Sequence, residues 1–571
     1  MSASPFDDFS KGLSRAFEFI VDPFHLKKKA EKDATAPFDQ PYLEPTRWFL
    51  TEDEMLRSRN GSKREGMHLY STGNRVKLYV ASAGYFSDVA DDMNSVRDGD
   101  LVYLTGWGTC NVPFKPHEPD TKLCDLAEGA VKRGADWRML VWSNLTERAQ
   151  NHEVRDLINS LPPPEKYGPA RFVYDDRLPF PTSSHHQKSV IVRKGRDLVA
   201  YVGGVDLTND RWDTIEHDQA ELRERTGIKC QWNGWLDAHA RVEGPATKDV
   251  ACNFLDRWNA EPKPSQDLMN DLLDFENPDY SNLPPIDEGE IPIDIPQDGT
   301  HAVQLCRTFS PDYDHYDFAP QGEQSIFHAR IKAIRNAQNY IFIQDQYFIL
   351  VPELLDTIME MMPSIERFIV IVQRTVEAGY TGYAKYLYDM VAPIQEKYPD
   401  KFKLYTTKES KQLYIHSKLV IVDDVYVSLG SANWNRRSMT SDSEIGINIV
   451  DTELVQSPDN ITVNKLARNF RIQKFMEATK LTYDELDAMT FFEACDALET
   501  AAHDDGSSLI EPYAVEFKPQ FNLVSDGWRQ VIDPDVVPED DPAKKIKNFF
   551  QRTQECRKVE VEMKLTSEFL C

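Results

Sequence analysis

The sequence lacks any apolar run that could cross a bilayer. Its longest apolar stretches, Ile341 to Val351 with Asp345 inside it and Phe368 to Val372, fall well short of the roughly 18–20 residues a spanning helix needs. It also lacks a secretory leader pattern, because Phe17 to Val21 is interrupted by Glu18 where a signal peptide carries about 7–15 apolar residues. The eight cysteines, Cys110, Cys124, Cys230, Cys252, Cys306, Cys495, Cys556 and Cys571, stand singly, with no CxxC pair and no metal-ligand spacing. That usage fits a reducing compartment. Positive charge is scarce as well: 65 Lys and Arg face 93 Asp and Glu, for a net charge of −28. Such a surface repels nucleic acid and strongly anionic membranes except where basic charge is concentrated locally. The expectations are a cytoplasmic or peripheral-membrane location and no nucleic-acid partner.

What is present is an alternation of helical and apolar β-type segments that occurs twice. Tyr85 to Val96 reads as a helix, Leu101 to Gly106 as a buried strand, Thr121 to Arg133 as a helix and Trp137 to Trp142 as a strand. The alternation resumes from Gln324 to Asn339 and runs through Phe402 to Thr406, which is the signature of α/β sheets. Between the two lies a stretch from Glu261 to Asp298 with eleven acids, one Lys and seven prolines and no sustained apolar period, hence a linker. At the N-terminus Phe6, Phe9, Leu13, Phe17, Ile20 and Phe24 fall on one helical face and Lys27, Lys28 and Lys29 follow. That face suits either a membrane interface or docking on the protein's own core, and Asp7, Asp8 and Glu18 favour docking. The expected organisation is an amphipathic segment over 1–45, α/β domains over 46–260 and 301–505, a linker over 261–300 and a tail over 506–571.

One constellation appears in both units. His186-Gln187-Lys188 opens the apolar Ser189 to Val192, and the chain returns through Leu198 to Val202 to Gly203-Gly204-Val205-Asp206. His416-Ser417-Lys418 opens Leu419 to Val422, with Asp423 next, and the return ends in Gly430-Ser431-Ala432-Asn433. A His and a Lys two apart on a strand project to the same face, which places a nucleophile-capable imidazole beside a fixed cation. The glycine turns are expected to let backbone N–H groups approach an anion closely. A single H-x-K triplet is most often incidental; two at matching places in a duplicated unit are not.

The second copy resembles the phospholipase D superfamily in full, with its H-x-K-x4-D motif and G-[GS]-x-N turn: His416, Lys418, Asp423, Gly430, Ser431 and Asn433, with Glu444 beyond. Further segments resemble the eukaryotic-type enzymes: Val202 to Leu207 with Arg211-Trp212-Asp213, Asp237 to Ala246 with Asn253-Phe254 and Arg257-Trp258, and Ile343-Gln344-Asp345-Gln346-Tyr347-Phe348. The resemblance covers roughly residues 80 to 260 and 300 to 480. It implies two tandem, similar α/β domains whose motifs meet in one shared active site. The first copy departs from it. Arg193 stands where the family has Asp, and Gly203 follows His186 by seventeen residues against fourteen from His416 to Gly430. A loop longer by three is expected to bring Asp197 back into the empty place.

By that resemblance the reaction is cleavage of a glycerophospholipid to phosphatidate and a head-group alcohol through a phosphohistidine, with water or a small alcohol as acceptor, at a phospholipid membrane surface. His186 is the implied nucleophile and His416 the acid, then base. The catalytic set is His186, Lys188, His416, Lys418 and Asp423, although in that family the Asp supports the fold. Asp237 is assigned to orient His186 and Glu444 to orient His416, with Asn433, Ser431, Gly203, Gly204 and Gly430 supporting. Asp206, which cannot donate to phosphate when ionised, is read as structural, as are His185, His217 and His239. Lys188, Lys418 and Asn433 can stabilise the charge without a metal, so no cofactor is called for and a divalent cation such as calcium has a place only in membrane association. The alternatives are a phosphodiesterase-type nuclease and, because of Arg193, a silent phospholipid-binding scaffold. The sequence leaves head group, acyl preference and oligomeric state open.

Overall fold

The computed structural model describes residues 38–536 except 144–147, 163–167, 169, 179–182, 229–230, 262, 265–279, 281–282, 293–294, 313–315, 375–380, 505 and 507. The amphipathic segment expected within 1–45 lies outside the described residues apart from its last few positions, as does the chain from 537 onward.

The first half contributes β1 (Ser71–Tyr79), β2 (Leu101–Gly106), β3 (Asp136–Trp142), β4 (Phe172–Asp175), β5 (Ser189–Lys194), β6 (Asp197–Gly203), β7 (Gly234–Leu236) and β8 (His239–Glu243). The second contributes β9 (His301–Phe309), β10 (Glu323–Gln324), β11 (Tyr340–Asp345), β12 (Arg367–Val372), β13 (Phe402–Thr407), β14 (Leu413–Ile415), β15 (Lys418–Val422), β16 (Tyr426–Gly430) and β17 (Glu444–Asp451). From β13 to β4, in a sheet whose edge beyond β13 is the short strand Ile510–Pro512, the order is β13-β12-β11-β15-β16-β17-β9-β1-β8-β6-β5-β2-β3-β4. The list reads the same outward from its centre, so the two halves are related by a pseudo-dyad at the antiparallel contact of β9 with β1.

The strands read as near-continuous apolar runs because both sheet faces are covered. Helices Ser82–Ser95 and Leu123–Lys132 bury Phe86, Val89, Met93 and Leu126 against the first half. Helices Ser325–Asn336, Pro352–Met361 and Thr381–Lys397 cover the corresponding face of the second. The opposite face is common to both halves: helices Ala246–Asn259 and Lys465–Thr479 place Phe254, Trp258, Phe470 and Phe475 in a single core with strand residues of both sheets. That shared core fixes one half against the other. A further link matters for the site: β7 of the first half pairs in parallel with β14 of the second, Leu236 opposite Ile415.

Among the described residues no helix is long and apolar enough to cross a membrane.

Candidate active site

Each motif histidine follows directly on a strand or bridge formed with the other half. The parallel register of β7 with β14 ends at Leu236 opposite Ile415, so the next residues, Asp237 and His416, are side by side. A parallel bridge of His185 with Ser443 does the same for His186 and Glu444. The backbone confirms the equivalence, since His416 N donates to Leu236 O (2.7 Å) and His186 N donates to Ser443 O (2.9 Å).

The rings follow the backbone. His186 Nδ1 lies 3.0 Å and 3.1 Å from the two Glu444 oxygens, and His416 Nδ1 lies 2.8 Å from Asp237 Oδ2. This corrects the assignment made from the sequence, in which each histidine took the acid of its own half. Within a half, β6 separates β5 from β8 and β16 separates β15 from β17. Two strand spacings put roughly 10 Å between histidine and acid, beyond any hydrogen bond. The acids therefore cross the seam.

The two dyads differ in charge. Burial alone would raise Glu444, but the His186 ring and the Ser431 hydroxyl hold it below the usual carboxylate range. Burial pushes Asp237 up to about 6 against the pull of Lys418. Burial lowers both rings, and nearby cations lower His416 further: Lys418, Arg211 and Lys188.

The lysines are held differently as well. Lys188 Nζ donates to His186 O (2.9 Å) and pairs with Asp206 Oδ2 at 3.1 Å. Lys418 Nζ donates to His416 O and to Gln346 Oε1 (3.0 Å), and burial brings it down to about 7. Asp206 also accepts from Trp107 N (2.9 Å), as the structural reading of that residue requires. In the second half the carboxylate comes instead from the end of β11: Asp345 accepts from Tyr347 N (3.0 Å) and Trp434 N (3.1 Å), and burial raises it to about 7. Asn433 lies 5% exposed in the turn that holds Asp206 in the other copy.

Three expectations need correction. The turn glycines are packed into the sheet rather than opened to an anion: Gly204 N donates to Ala238 O (3.0 Å), Gly203 stands opposite His239 and Gly430 opposite Gly446. They are glycine because a Cβ would collide with His239 at Gly203, Asp237 at Gly204 and the Ile445 carbonyl at Gly430. Asp423 is not in the reacting group. It follows β15 at the end away from His416, and its oxygens accept from Gln338 N (2.7 Å), Asn339 N (2.8 Å) and Tyr340 N (2.8 Å). Asp197 does not replace it in the first half. The three extra residues lengthen β5 and β6 rather than the loop, and Asp197 is exposed opposite Lys194. The carboxylate comes from the facing strand entry: Asp100 accepts from Gly195 N (2.7 Å) and Arg97 N (2.7 Å), while Arg193 pairs with Glu290 at 3.2 Å.

The three histidines read as structural, His185, His217 and His239, are buried and engaged with neighbours. His185 Nδ1 meets Ser443 Oγ at 2.8 Å, His217 lies between Asp213 (2.6 Å) and Glu477 (3.4 Å), and His239 stacks on Tyr85 with ring centroids 4.0 Å apart. Sequence reasoning passed over Arg211, whose guanidinium lies 4.0 Å from the Trp235 ring centroid, with Trp235 against His416 at 5.3 Å. Its signal was available, in an Arg-Trp-Asp triplet five residues past the first turn.

A family model described as phospholipase D matches residues 173–354, and one described as cardiolipin synthase, PLD-like domain, matches residues 331–462. The chain belongs to the phospholipase D superfamily. The two matches take in the first and second histidine motifs respectively. Phospholipase D alpha 1 of Zea mays is 27% identical, with 63% of this chain and 59% of that protein covered. Phospholipase D alpha 4 of Arabidopsis thaliana is 24% identical, with 83% and 75% covered. The chain thus spans about three fifths of the length of the alpha 1 relatives in Oryza sativa subsp. japonica and Zea mays. Among solved structures, phosphatidylserine synthase of Haemophilus influenzae Rd KW20 aligns with a TM-score of 0.45 and 13% identity over 66% of this chain and 82% of that one.

Proposed function

We propose that this superfamily member is a phosphodiesterase that cleaves glycerophospholipids to phosphatidate and a free head-group alcohol, with water or a small alcohol as acceptor. The observation that carries the reading is the pair of crossed dyads, His186 with Glu444 and His416 with Asp237. A carboxylate at Nδ1 takes that N–H and leaves Nε2 of each ring as the reacting nitrogen. Glu444, held ionised, suits a neutral His186 that attacks phosphorus. The second dyad, whose carboxylate is raised to about 6 rather than lowered, takes up a proton at higher pH than Glu444 does, as the acid role of His416 asks.

His186 Nε2 forms a bond to phosphorus while the bond to the head-group oxygen breaks, and that oxygen takes a proton from His416 Nε2. Water or an alcohol then gives its proton to His416, attacks phosphorus and breaks the P–N bond, which returns His186. Negative charge on the phosphoryl oxygens falls to Lys188, Lys418 and the Asn433 amide. No metal enters this scheme. Encounter with a membrane surface, aided by divalent cations, belongs to the proposal too.

The test is a purified enzyme with phosphatidylcholine vesicles and a primary alcohol, in which phosphatidate and the phosphatidyl alcohol are expected; absence of both sinks the reading. A p-nitrophenyl phosphodiester needs no acid to leave. In a His416→Asn variant it should trap an acid-labile phosphoryl adduct on the segment 184–193, whereas an adduct on His416 in His186→Asn would reverse the two roles.

A further inference from the structure

The loops after the two turns each carry arginine, and the two loops treat it oppositely. In the second half Arg437 forms a two-pronged pair with Asp442, Nε to Oδ2 at 2.6 Å and Nη2 to Oδ1 at 3.0 Å, and Arg436 lies 3.7 Å from Asp535. In the first half Arg211 has no carboxylate within salt-bridge range among the described residues. Its recorded donor contact is to its own loop, Nη1 to Asn209 O at 3.2 Å, and its Nε is buried without a partner. In a chain with an excess of acids, a half-buried guanidinium left without one beside a reacting histidine is a place kept for an incoming anion.

The surroundings narrow that anion. Arg211 lies over the Trp235 ring, and Trp235 stacks on Tyr414 with centroids 4.5 Å apart, while Trp232 meets Tyr414 at 5.3 Å. Trp235 and Tyr414 stand opposite each other in the β7–β14 register, so the wall is fixed by both halves. With Trp235 on one side and, among the described residues, only Nη1 engaged, at Asn209 O, the guanidinium keeps a fork of donors for planar, two-pronged recognition, which suits a carboxylate. A second phosphate, carrying up to two charges, would meet more repulsion from Asp237, which lies close enough to Arg211 to feel its charge. The wall adjoins His416, the ring assigned above to protonate the departing alcohol, so a group bound there belongs to the head-group half of the diester.

We propose that Arg211, on the wall of Trp232, Trp235 and Tyr414, binds a carboxylate carried by the leaving alcohol, so that the preferred substrates are phosphodiesters with a carboxylate-bearing head group. The inference rests on the role of His416 proposed above.

Glycerophosphoserine and glycerophosphoethanolamine differ by one carboxylate and serve as probes, titrated calorimetrically into the full chain carrying His186→Asn so that nothing turns over. The serine compound is expected to bind about tenfold more tightly. Arg211→Gln on that background should bring the ratio to about one by weakening the serine compound alone, and Arg211→Lys, which keeps the charge but not the fork, should leave about threefold. Should Arg211→Gln not fold, the Arg211→Lys ratio alone decides. A ratio of one in the parent, a ratio that survives substitution, or equal weakening of both compounds, which would place Arg211 on the shared phosphodiester, each overturns the inference. Turnover of short-chain phosphatidylserine and phosphatidylethanolamine by the unmodified protein, measured separately, distinguishes the failures. Turnover without selective binding removes this inference alone, and selective binding without turnover removes the phosphodiesterase reading.

Discussion

The two motif copies present the same histidine and lysine to the seam, yet their supports come from opposite directions. Behind Lys418 the carboxylate is on β11, as Asp345, with an amide in the turn; behind Lys188 it is in the turn, as Asp206, with Gly106 on β2. At the far hairpins the exchange recurs. Asp423 reaches from the hairpin to the amides at the entry of β11, whereas Asp100 reaches from the entry of β2 to the hairpin amide of Gly195. What duplication preserved is the position of charge relative to backbone, not the residue that carries it. In each half a carboxylate ties the hairpin to the entry of the facing strand, from whichever side carries it.

The strongest way to break this comparison is to attack the crossed acids. Glu444→Gln and Asp237→Asn each keep the shape of the site while removing the carboxylate that fixes a ring tautomer, and each is expected to lower kcat by about 10³–10⁴-fold. The steps they damage should differ. With a p-nitrophenyl diester, Asp237→Asn should still release a stoichiometric burst of nitrophenol and then stall, because only the second step needs His416 as base. Glu444→Gln should show no burst, since it disables His186. If the acids served their own halves the two traces would exchange.

A smaller effect sharpens the hairpin comparison. Asp423→Ala strands three backbone donors and should cost about 3 kcal/mol, while Asp100→Ala strands two and should cost about 2 kcal/mol, each donor counting roughly 1 kcal/mol. Denaturant melts of the two variants check the order. Arg193→Asp alone should destabilise, because it loses the Glu290 pair and faces Asp100; combined with Asp100→Asn it should recover part of the loss, since the first hairpin then copies the second. No recovery would mean that the two hairpins are not interchangeable.

These comparisons also show where the sequence stops being informative. Strand and helix order was readable because apolar runs such as Val190 to Val192 and Leu419 to Val422 are local signals, and the motif pair was readable because His and Lys two apart share a strand face. The acid pairing was not, since His186 and Glu444 are 258 positions apart and are brought together by one parallel bridge rather than by a pattern. Asp100 was missed for the same reason: it stands 95 positions from the amide it serves, and nothing in its own neighbourhood marks it. The glycines were recognised as needing close approach, but the approaching groups are a side chain and a strand of the protein itself, which only the packed sheet reveals.

The subtlest difference between the two sides is in the buried histidine behind each dyad. His185, beside the His186 dyad, lies 3.2 Å from Asp175, but burial outweighs that carboxylate, with Arg257 and Arg177 adding to it, and lowers the ring to about 4. His217, on the His416 side, lies between two carboxylates, Asp213 and Glu477; burial opposes its charge, yet those partners prevail and raise it to about 9. Lys474, Lys480 and, on its own loop, Arg211 are cations near it: Lys480 donates to Ile215 O (3.1 Å) and feels the charge of Glu477 and Asp213, while Lys474 donates to Glu477 Oε2 (3.0 Å) and to the carbonyl of Asp237, which ties the network to the acid of the dyad. One buried imidazole is therefore neutral and the other cationic at pH 7, against an ordinary value of about 6.5 for both in the unfolded chain. The signs follow. His217 binds more protons folded than unfolded, so its contribution is complete below about pH 6.5 and is lost as pH rises through 9. His185 binds fewer, so its contribution is complete above about pH 6.5 and is lost as pH falls toward 4. Melting temperatures of the unmodified protein, His217→Gln and His185→Gln, taken from pH 5 to 9, should show the first difference shrinking by about 2 °C or more on the alkaline side and the second shrinking on the acid side. Parallel curves for the two variants would mean that both rings carry the same charge and that the halves do not differ behind their dyads.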